Sequence, residues 1–560
     1  MTMAKQRENA KLKGVYYTPQ LLADYIVYRL FDEGKYRFKS NIRVLEPSVG
    51  GGIFLKALLN GNYYKDKGLF KKDVPHLSVE AIEINDEAAA ETNQLTRSYD
   101  ASKGVVNVVN QDYLEYFLNN EKKYDLIIGN PPYVRRRSMS LEQRELCANV
   151  HEKAGLMDKN PKNLWTSFFA GAKESLTKDG VIAFILPADL LQVKYSQEIR
   201  EILHDEFSRV EIFTLNWVYF DDIEQDVVIL ICSNQDKQNR GVKFYHINNL
   251  SELEEPKKTS DNDNSRRQSL NKWTNYVLDE QEFKFIDKIH KKIAPQAIRY
   301  YCDSGAGIVT AANDYYIVDR QTRDEYSLES IAKLTVKKSS SMFPAVRLTK
   351  ADLDKKANEG AEVFFLDFPD RPKNELPDNY KKYLKNGEEK NIHQRYKMLL
   401  RDNWYSVPSV WSSEAFFTKR SNIFPRIILN KANAYVTDAF YRIRVKDGVK
   451  VNNLTFSFYN TFTFIYAELM GRYYGGGVLE LTPNEFKDLP LPYIDGDTRS
   501  KLSNLDELVR GNSKLTQILN YTDELILKEQ YGLSDKEVEK LREIYKKLLI
   551  RRMKKTELNI

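Results

Sequence analysis

The segment IRVLEPSVGGGIFL, residues 42–55, decides the fold. A β-rich run over 42–47 passes through a turn of small residues, Pro47-Ser48-Val49-Gly50-Gly51-Gly52, into an apolar stretch with the character of a helix start. Glycines in such a turn let backbone and ligand approach closely. No Lys-Ser/Thr pair follows and the G-x-G-x-x-G spacing is missing, so the turn is neither a phosphate-cradling loop nor a dinucleotide fingerprint. It reads as a site for a nucleoside-type cofactor. Outward from it lie six more β-rich runs: LSVEAIEI (77–84), GVVNVVNQD (104–112), YDLIIGNPP (124–132), GVIAFILP (180–187), RVEIFTL (209–215) and DVVILICS (226–233). Several are nearly unbroken aliphatic runs, as strands covered on both faces require. Helical stretches separate them; NLWTSFFAGAKESLTKDG (163–180) closes on a glycine stop. Alternation of this kind predicts a doubly wound α/β domain over 1–240, with ligands at the carboxyl ends of its strands.

Two groups of residues stand at such ends. Asn130-Pro131-Pro132-Tyr133 follows YDLIIG directly. Prolines lack an N–H and restrict their predecessors, so the strand stops abruptly and presents Asn130 with a stiff set of carbonyls. An exocyclic adenine amine is a poor nucleophile because its lone pair is conjugated into the ring. The Asn130 side-chain carbonyl and the Pro131 carbonyl can accept its two hydrogens, pull the nitrogen towards tetrahedral geometry and stabilise developing positive charge. Tyr133 can stack on a base turned out of a duplex. The second group is the order of acids: Glu83 closes the second run and can accept ribose hydroxyls, and Asp112 closes the third and can accept an adenine amine.

The rest of the chain differs in character. Residues 251–273 are polar and charged, and 241–275 reads as a linker. From 276 to 495 aromatic and basic residues interleave, and 496–560 is a helical segment rich in Leu, Lys and Glu. Of 560 residues, the first 240 hold 32 Lys+Arg and 34 Asp+Glu, which leaves 53 and 45 for the remainder, a net +8 on the second part. That asymmetry suits a catalytic unit joined to a polyanion-binding unit. Arg135, Arg136 and Arg137, beside the catalytic loop, are expected to grip phosphate. Lys431 and Arg442 are candidate DNA contacts in the second part, with Lys337, Lys338, Arg347, Arg444, Asn313, Asn430 and Asn433 as further candidates. Cys147, Cys232 and Cys302 make no pair spacing, so neither disulfides nor a metal site are expected. No run approaches the ~18 apolar residues of a membrane helix, and the basic N-terminus lacks the apolar segment of a secretory signal. A cytoplasmic location is expected.

In these motifs the sequence resembles the gamma group (TaqI-like and Eco57I-like) of type II DNA adenine-N6 methyltransferases with a C-terminal specificity domain. The resemblance implies S-adenosylmethionine as cofactor and a mixed seven-stranded sheet with its last strand antiparallel, followed by a mixed α+β recognition domain. It implies double-stranded DNA with a short specific sequence as substrate, and a restriction endonuclease as a functional partner. Gly14-Val-Tyr-Tyr-Thr-Pro19 is similar to the family's N-terminal cofactor motif, placing Tyr17 and Thr18 near the methionine part, with Glu46 at the amino-acid end. Pro47, Ser48, Gly50, Glu83, Ile84, Asp112 and Pro132 fall in the implied cofactor set, and Phe168 would pack on the cofactor adenine. Phe220 falls where the family carries a second aromatic that stacks on the target base; Trp217 and Tyr219 are adjacent. GIVTAANDYYIV (307–318) and YYGGGVLELTPNEFKDLPLP (473–492) resemble specificity domains. With the cofactor motif beginning at Gly14, no nuclease domain is expected ahead of it. Asn-Pro-Pro-Tyr also serves enzymes that methylate RNA or a protein glutamine, and a DNA-binding subunit without turnover is a further alternative. The basic, aromatic second part favours DNA, and the intact motifs favour turnover.

Overall fold

A computed structural model of the protein describes residues 18–31, 36–60, 76–97, 99, 104–215, 227–235, 241–247, 257–261, 273, 277–339, 344–474 and 477–553. The chain divides into two compact units, Met1–Asp279 and Glu280–Ile560.

The first unit is built on one sheet. Its strands are β1 Asn41–Glu46, β2 His76–Glu83, β3 Gly104–Asn110, β4 Tyr124–Gly129, β5 Leu176–Pro187, β6 Arg209–Leu215, β7 Val227–Ser233, β8 Gly241–Ile247 and β9 Lys257–Asp261. They lie in the order β3-β2-β1-β4-β5-β7-β6-β8-β9. β1 to β5 run parallel, and β7 enters antiparallel between β5 and β6. All seven strands read from the sequence are present, and the seventh is the antiparallel one.

The pleat explains the aliphatic runs. Successive residues of a strand point to opposite faces. In β5, Ile182, Phe184 and Leu186 enter one core, with Trp165 and Phe169 of the helix α6 (Trp165–Glu174). Val181, Ala183 and Ile185 enter the other, with Tyr25, Ile26 and Leu30 of α1 (Gln20–Phe31) and Leu55 and Leu58 of α2 (Ile53–Asn60). Three more helices line the first face or its rim: α4 (Tyr113–Leu118), α5 (Leu141–Lys153) and α7 (Gln197–Asp205). α3 (Asp86–Thr96) follows β2. A strand buried on both sides has no polar face to show, hence the unbroken run of apolar residues.

The sequence reading places a linker at 241–275; β8 and β9 lie within that stretch instead. β8 pairs in parallel register with β6 from Arg209↔Gly241 to Leu215↔Ile247. β9 is polar along its length, KKTSD, as an edge strand can be.

One buried charge cluster ties α1 to this edge. Glu211 of β6 is fully buried and accepts from Arg29 at 3.0 Å, Arg209 at 2.9 Å, Tyr36 at 3.0 Å and Tyr245 at 3.1 Å. Burial alone would raise the Glu211 carboxyl; Arg29 and Arg209 outweigh it and bring it down to about 2. A carboxylate depressed in this way stabilises the fold fully above its ordinary value of 4.5, and that contribution is lost as pH falls towards about 2. It amounts to about 3 kcal/mol. A Glu211→Gln variant is expected to lose this share of the acid sensitivity, read from urea midpoints between pH 5 and pH 2; parallel pH curves for both proteins would refute it.

The second unit carries a five-stranded sheet in the order Cys302–Ala306, Phe440–Val445, Ala415–Thr418, Ile427–Asn430, Arg347–Leu348. A four-stranded sheet runs Ile317–Val318, Phe364–Leu366, Ala332–Val336, Tyr435–Val436. Of the segment at 496–560, the helices described up to Met553 pack into this unit. Its last helix, α10 (Asp535–Met553), buries Val538, Leu541, Ile544, Leu548 and Leu549, and its Arg552 pairs with Glu468 of α9 (Thr461–Met470). Among the described residues no helix is long and apolar enough to cross a membrane.

Candidate active site

The carboxyl ends of β1, β2 and β4 bring the predicted residues together. β1 delivers Glu46 at the start of the small-residue turn. The turn needs glycine at Gly50 and Gly52, where φ is +51° and +71°; a Cβ at Gly52 would also meet Leu95 at 2.9 Å. The turn is held from two sides. Val49 N–H donates to Ile82 O at 3.0 Å, and Thr92 Oγ1 of α3 donates to Gly50 O at 2.8 Å.

Glu83, at the end of β2, is fixed before any ligand arrives. Its Oε2 accepts from Gly50 N–H and its Oε1 from Asn85 N–H, both at 2.9 Å. Each carboxylate oxygen keeps a second lone pair for a hydroxyl. Ile84, the next residue, is 63% exposed, an apolar face left bare beside the acid. Asp112 caps α4, accepting from Leu114 N–H at 2.7 Å. Burial raises its carboxyl above the ordinary range. Phe168 of α6 lies against Tyr113, the residue after Asp112, with ring centroids 4.8 Å apart.

Asn130 is oriented by three contacts. Tyr133 hydroxyl donates to its Oδ1 at 2.6 Å, its Nδ2 donates to Thr18 Oγ1 at 3.2 Å, and Ser48 Oγ donates to its backbone carbonyl at 3.2 Å. This pattern sets the amide with its oxygen towards Tyr133. Pro131 is buried and Pro132 half-buried. The Tyr133 ring is only 5% exposed, and its hydroxyl is also 2.9 Å from Ile185 O. A stacking role on a base therefore requires this ring to leave its cover, whereas holding Asn130 does not. Tyr17 and Phe220, with Trp217 and Tyr219, lie outside the described residues.

Of the three arginines after the loop, Arg135 and Arg137 are exposed. Arg136 is half-buried and donates to Asn160 Oδ1 at 3.1 Å. In the second unit Lys431 is exposed, but Arg442 corrects the expectation. It is 6% exposed, and its guanidinium donates to the carbonyls of Ala306 (2.9 Å) and Ser409 (2.8 Å) while lying 4.0 Å over Trp411. Those carbonyls use the donors a phosphate would need, so Arg442 holds a loop to the sheet. Lys337 is likewise paired, with Asp314 and Glu362. Arg347 donates to Ser503 Oγ, and Asn430 closes the turn to Ala434. Arg444 is exposed, 5.0 Å from the Trp411 ring.

Residues 40–219 match the Eco57I restriction-modification methylase family, and residues 270–527 match the C-terminal domain of the type II methyltransferase M.Eco57I. The two halves of one family thus occur in order over most of the chain. The chain belongs to the Eco57I restriction-modification methylases. Among curated relatives, the type II methyltransferase M.AccI of Acinetobacter calcoaceticus is 23% identical over 521 residues, 87% of this chain and 89% of that one. M.HindII of Haemophilus influenzae is 23% identical over 541 residues, 88% and 92% of the two chains. A shorter match, 28% over 150 residues, is to a tRNA1(Val) (adenine(37)-N6)-methyltransferase of Bacteroides thetaiotaomicron, covering 26% of this chain and 53% of that one. Among solved structures, the type IIL restriction-modification enzyme MmeI in complex with DNA superposes with a TM-score of 0.56 at 14% identity, over 97% of this chain and 75% of that one, a likeness of fold.

The cofactor of this methylase is S-adenosylmethionine, and the site fits it on one independent observation. Glu46 is 1% exposed, yet its Oε2 has no hydrogen-bond partner among the described residues, and neither has the buried Tyr99 hydroxyl. Burial, then the charge of Glu83, pushes the Glu46 carboxyl well up. A buried, unpaired carboxyl is costly unless a cation answers it, and the amino-acid end of this cofactor carries an ammonium. Thr92 and the Asn85 amide were not singled out in the sequence. Asn85 before Asp86-Glu87 is a recognisable helix cap; Thr92 and Tyr99 carry no such signal.

Proposed function

We propose that this methylase transfers a methyl group to the exocyclic N6 of an adenine turned out of a short, specific duplex sequence, as the modification enzyme of a restriction-modification system. The observation that carries the reading is the fixed amide of Asn130 at the end of β4, held by Tyr133 and Thr18. Bound S-adenosylmethionine supplies an electrophilic methyl group. Glu46 would hold the ammonium of that cofactor, Glu83 its ribose hydroxyls and Asp112 its adenine amine, with Ile84 and Phe168 on the adenine ring and Tyr17, Thr18, Pro47, Ser48, Gly50 and Pro132 around it. Asn130 Oδ1 and Pro131 O would accept the two N6 hydrogens, which returns the lone pair to the nitrogen and stabilises the charge that develops there. The acceptors are already in place, so little reorganisation is needed at the moment of reaction. Phe220 is assigned the second face of the base. The tRNA relative is named for the same adenine N6 position, which supports the choice of atom. The basic charge of the second unit suits a nucleic acid, and its match to the C-terminal domain of a type II methyltransferase supports DNA over RNA; Arg135 and Arg137 of the first unit and Lys431 of the second are the proposed phosphate contacts.

The test is methylation-sensitive sequencing of DNA from a methylation-free bacterial host that expresses the chain. N6-methyladenine confined to one short motif is expected. Unmodified DNA, from a chain that is folded and binds cofactor, would turn the reading to RNA or protein.

Tyr133 separates two roles. Tyr133→Phe keeps the ring and removes the hydrogen bond to Asn130, worth about 0.5–1.5 kcal/mol, so kcat is expected to fall about 2- to 10-fold. Tyr133→Ala also loses any base stacking, about 1–3 kcal/mol more. A Phe variant with wild-type kcat would remove the positioning role; equal losses in both variants would remove the stacking role.

A further inference from the structure

Residues 390–401 of the second unit, KNIHQRYKMLLR, form a surface knuckle with an unusual face. Tyr396, Leu399 and Leu400 are 76%, 68% and 70% exposed. Three large apolar side chains within five residues are a costly thing to leave in water, and such patches mark binding surfaces. The knuckle is not a loose tip. The helix α8 (Asp378–Glu389) ends where Asn391 turns left-handed (φ 55°), and Ile392 and Met398 of the same stretch are buried. Arg401 staples the base, donating to Thr310 O at 3.0 Å and Trp404 O at 3.2 Å, while Tyr316 hydroxyl reaches Trp404 O at 3.0 Å. The apolar face is thus held out by the fold.

Its charge names the occupant. From 390 to 401 there is no Asp or Glu, while Lys390, Arg395, Lys397 and Arg401 are cationic. Arg401 is used inside; Lys390, Arg395 and Lys397 are exposed in the same stretch, Arg395 giving one N–H to Ala311 O at 3.3 Å and keeping its other donors. Exposed cations beside an aromatic and two leucines suit a duplex, whose phosphates flank base steps that expose apolar faces once unstacked. Apolar side chains used in this way unstack a base step and bend the duplex.

We propose that this knuckle is a DNA wedge: Tyr396, Leu399 and Leu400 press against a base step, and Arg395 and Lys397 hold the flanking phosphates. The proposal rests on the reading of the chain as a DNA methyltransferase. The wedge supplies shape and deformability readout, so the preferred sequence should contain a flexible step at the place it meets.

The experiment uses the full chain with S-adenosylmethionine and a duplex carrying the motif it methylates, labelled at both ends so that bending changes energy transfer. The variant Tyr396→Ser/Leu399→Ser/Leu400→Ser alters only exposed side chains and is expected to keep its thermal midpoint and cofactor affinity. It should bind the duplex at least about 10-fold more weakly and lose the bend. The variant Arg395→Ala/Lys397→Ala should lower the slope of log affinity against log salt by about 2, for two phosphates. Wild-type affinity and bending in the triple variant, with methylation intact in the wild type, overturns the wedge alone. A wild type that self-associates without DNA while the triple variant stays monomeric assigns the face to a second copy and also overturns it. A wild type that methylates no DNA overturns the underlying reading as well.

Discussion

Replacing Asn130 by alanine is expected to lower kcat for DNA methylation by about 100- to 1000-fold, the cost of removing one preorganised group that meets developing charge. The variant loses Oδ1, the acceptor that Tyr133 holds at 2.6 Å. It keeps the Pro131 carbonyl, so residual turnover above background is expected. Duplex affinity should stay within a few-fold, because Asn130 is at the end of a buried strand and carries no charge. Cofactor affinity should also be little changed, since Glu46, Glu83 and the glycine turn are untouched. Single-turnover methylation beside anisotropy binding separates these quantities. Parallel loss of rate and duplex binding would mean that Asn130 holds the substrate in its ground state and would sink the proposed role. Asn130→Asp tests the same point differently: the carboxylate is still an acceptor, but it cannot donate to Thr18.

Glu468→Ala is expected to cost the second unit about 3–5 kcal/mol, the usual cost of stranding a buried charge. Glu468 and Arg552 are 1% and 0% exposed and join α9 to α10, with Arg552 Nε 2.9 and 3.0 Å from the two carboxylate oxygens. Arg551, 2% exposed, is 3.9 Å from the same carboxylate. Removing Glu468 takes the carboxylate away from the buried Arg552 guanidinium and from the Arg551 guanidinium beside it. In a unit of this size, each kcal/mol lowers the midpoint by about 2–4 °C, so calorimetry should show a loss near 10 °C. Arg552 would still donate to the carbonyls of Ile423, Asn422 and Gly477, which keeps the loss from exceeding that range. A change below about 1 kcal/mol would mean that water enters and solvates the arginines.

What was legible in the sequence follows what burial does to composition. The strands β4 to β7 are buried on both faces, so their aliphatic runs stood out, and the edge strand β3, with no buried residue, stood out only by its valines; β8 and β9 did not, because GVKFYHI is mixed and KKTSD is polar. The turn at Gly50, the acids Glu83 and Asp112 and the amide of Asn130 were legible because each ends a strand, where order along the chain fixes order in space. Arg442 was misread because an arginine among aromatics looks the same whether it faces DNA or caps carbonyls; only the approach of Ala306 and Ser409 decides. The buried charges of the C-terminal helices were not legible for a related reason. Lys, Arg and Glu in a helical segment give no sign of burial, but Arg551, Arg552 and Glu468 are core residues. Tyr133 shows a subtler limit: its type suggested the ring, and the hydroxyl is what the structure puts to use.

The bond from Ser48 to the Asn130 carbonyl has a thermodynamic reading. Ser48 belongs to the glycine turn and Asn130 to the proposed catalytic loop, so the floors of the proposed cofactor and base sites share one hydrogen bond across 3.2 Å. Linkage makes such a tie reciprocal: whatever factor an occupied turn adds to the affinity for the base, an occupied base site returns to the cofactor. One neutral hydrogen bond, about 0.5–1.5 kcal/mol, bounds that cooperativity at about 2- to 10-fold in each direction.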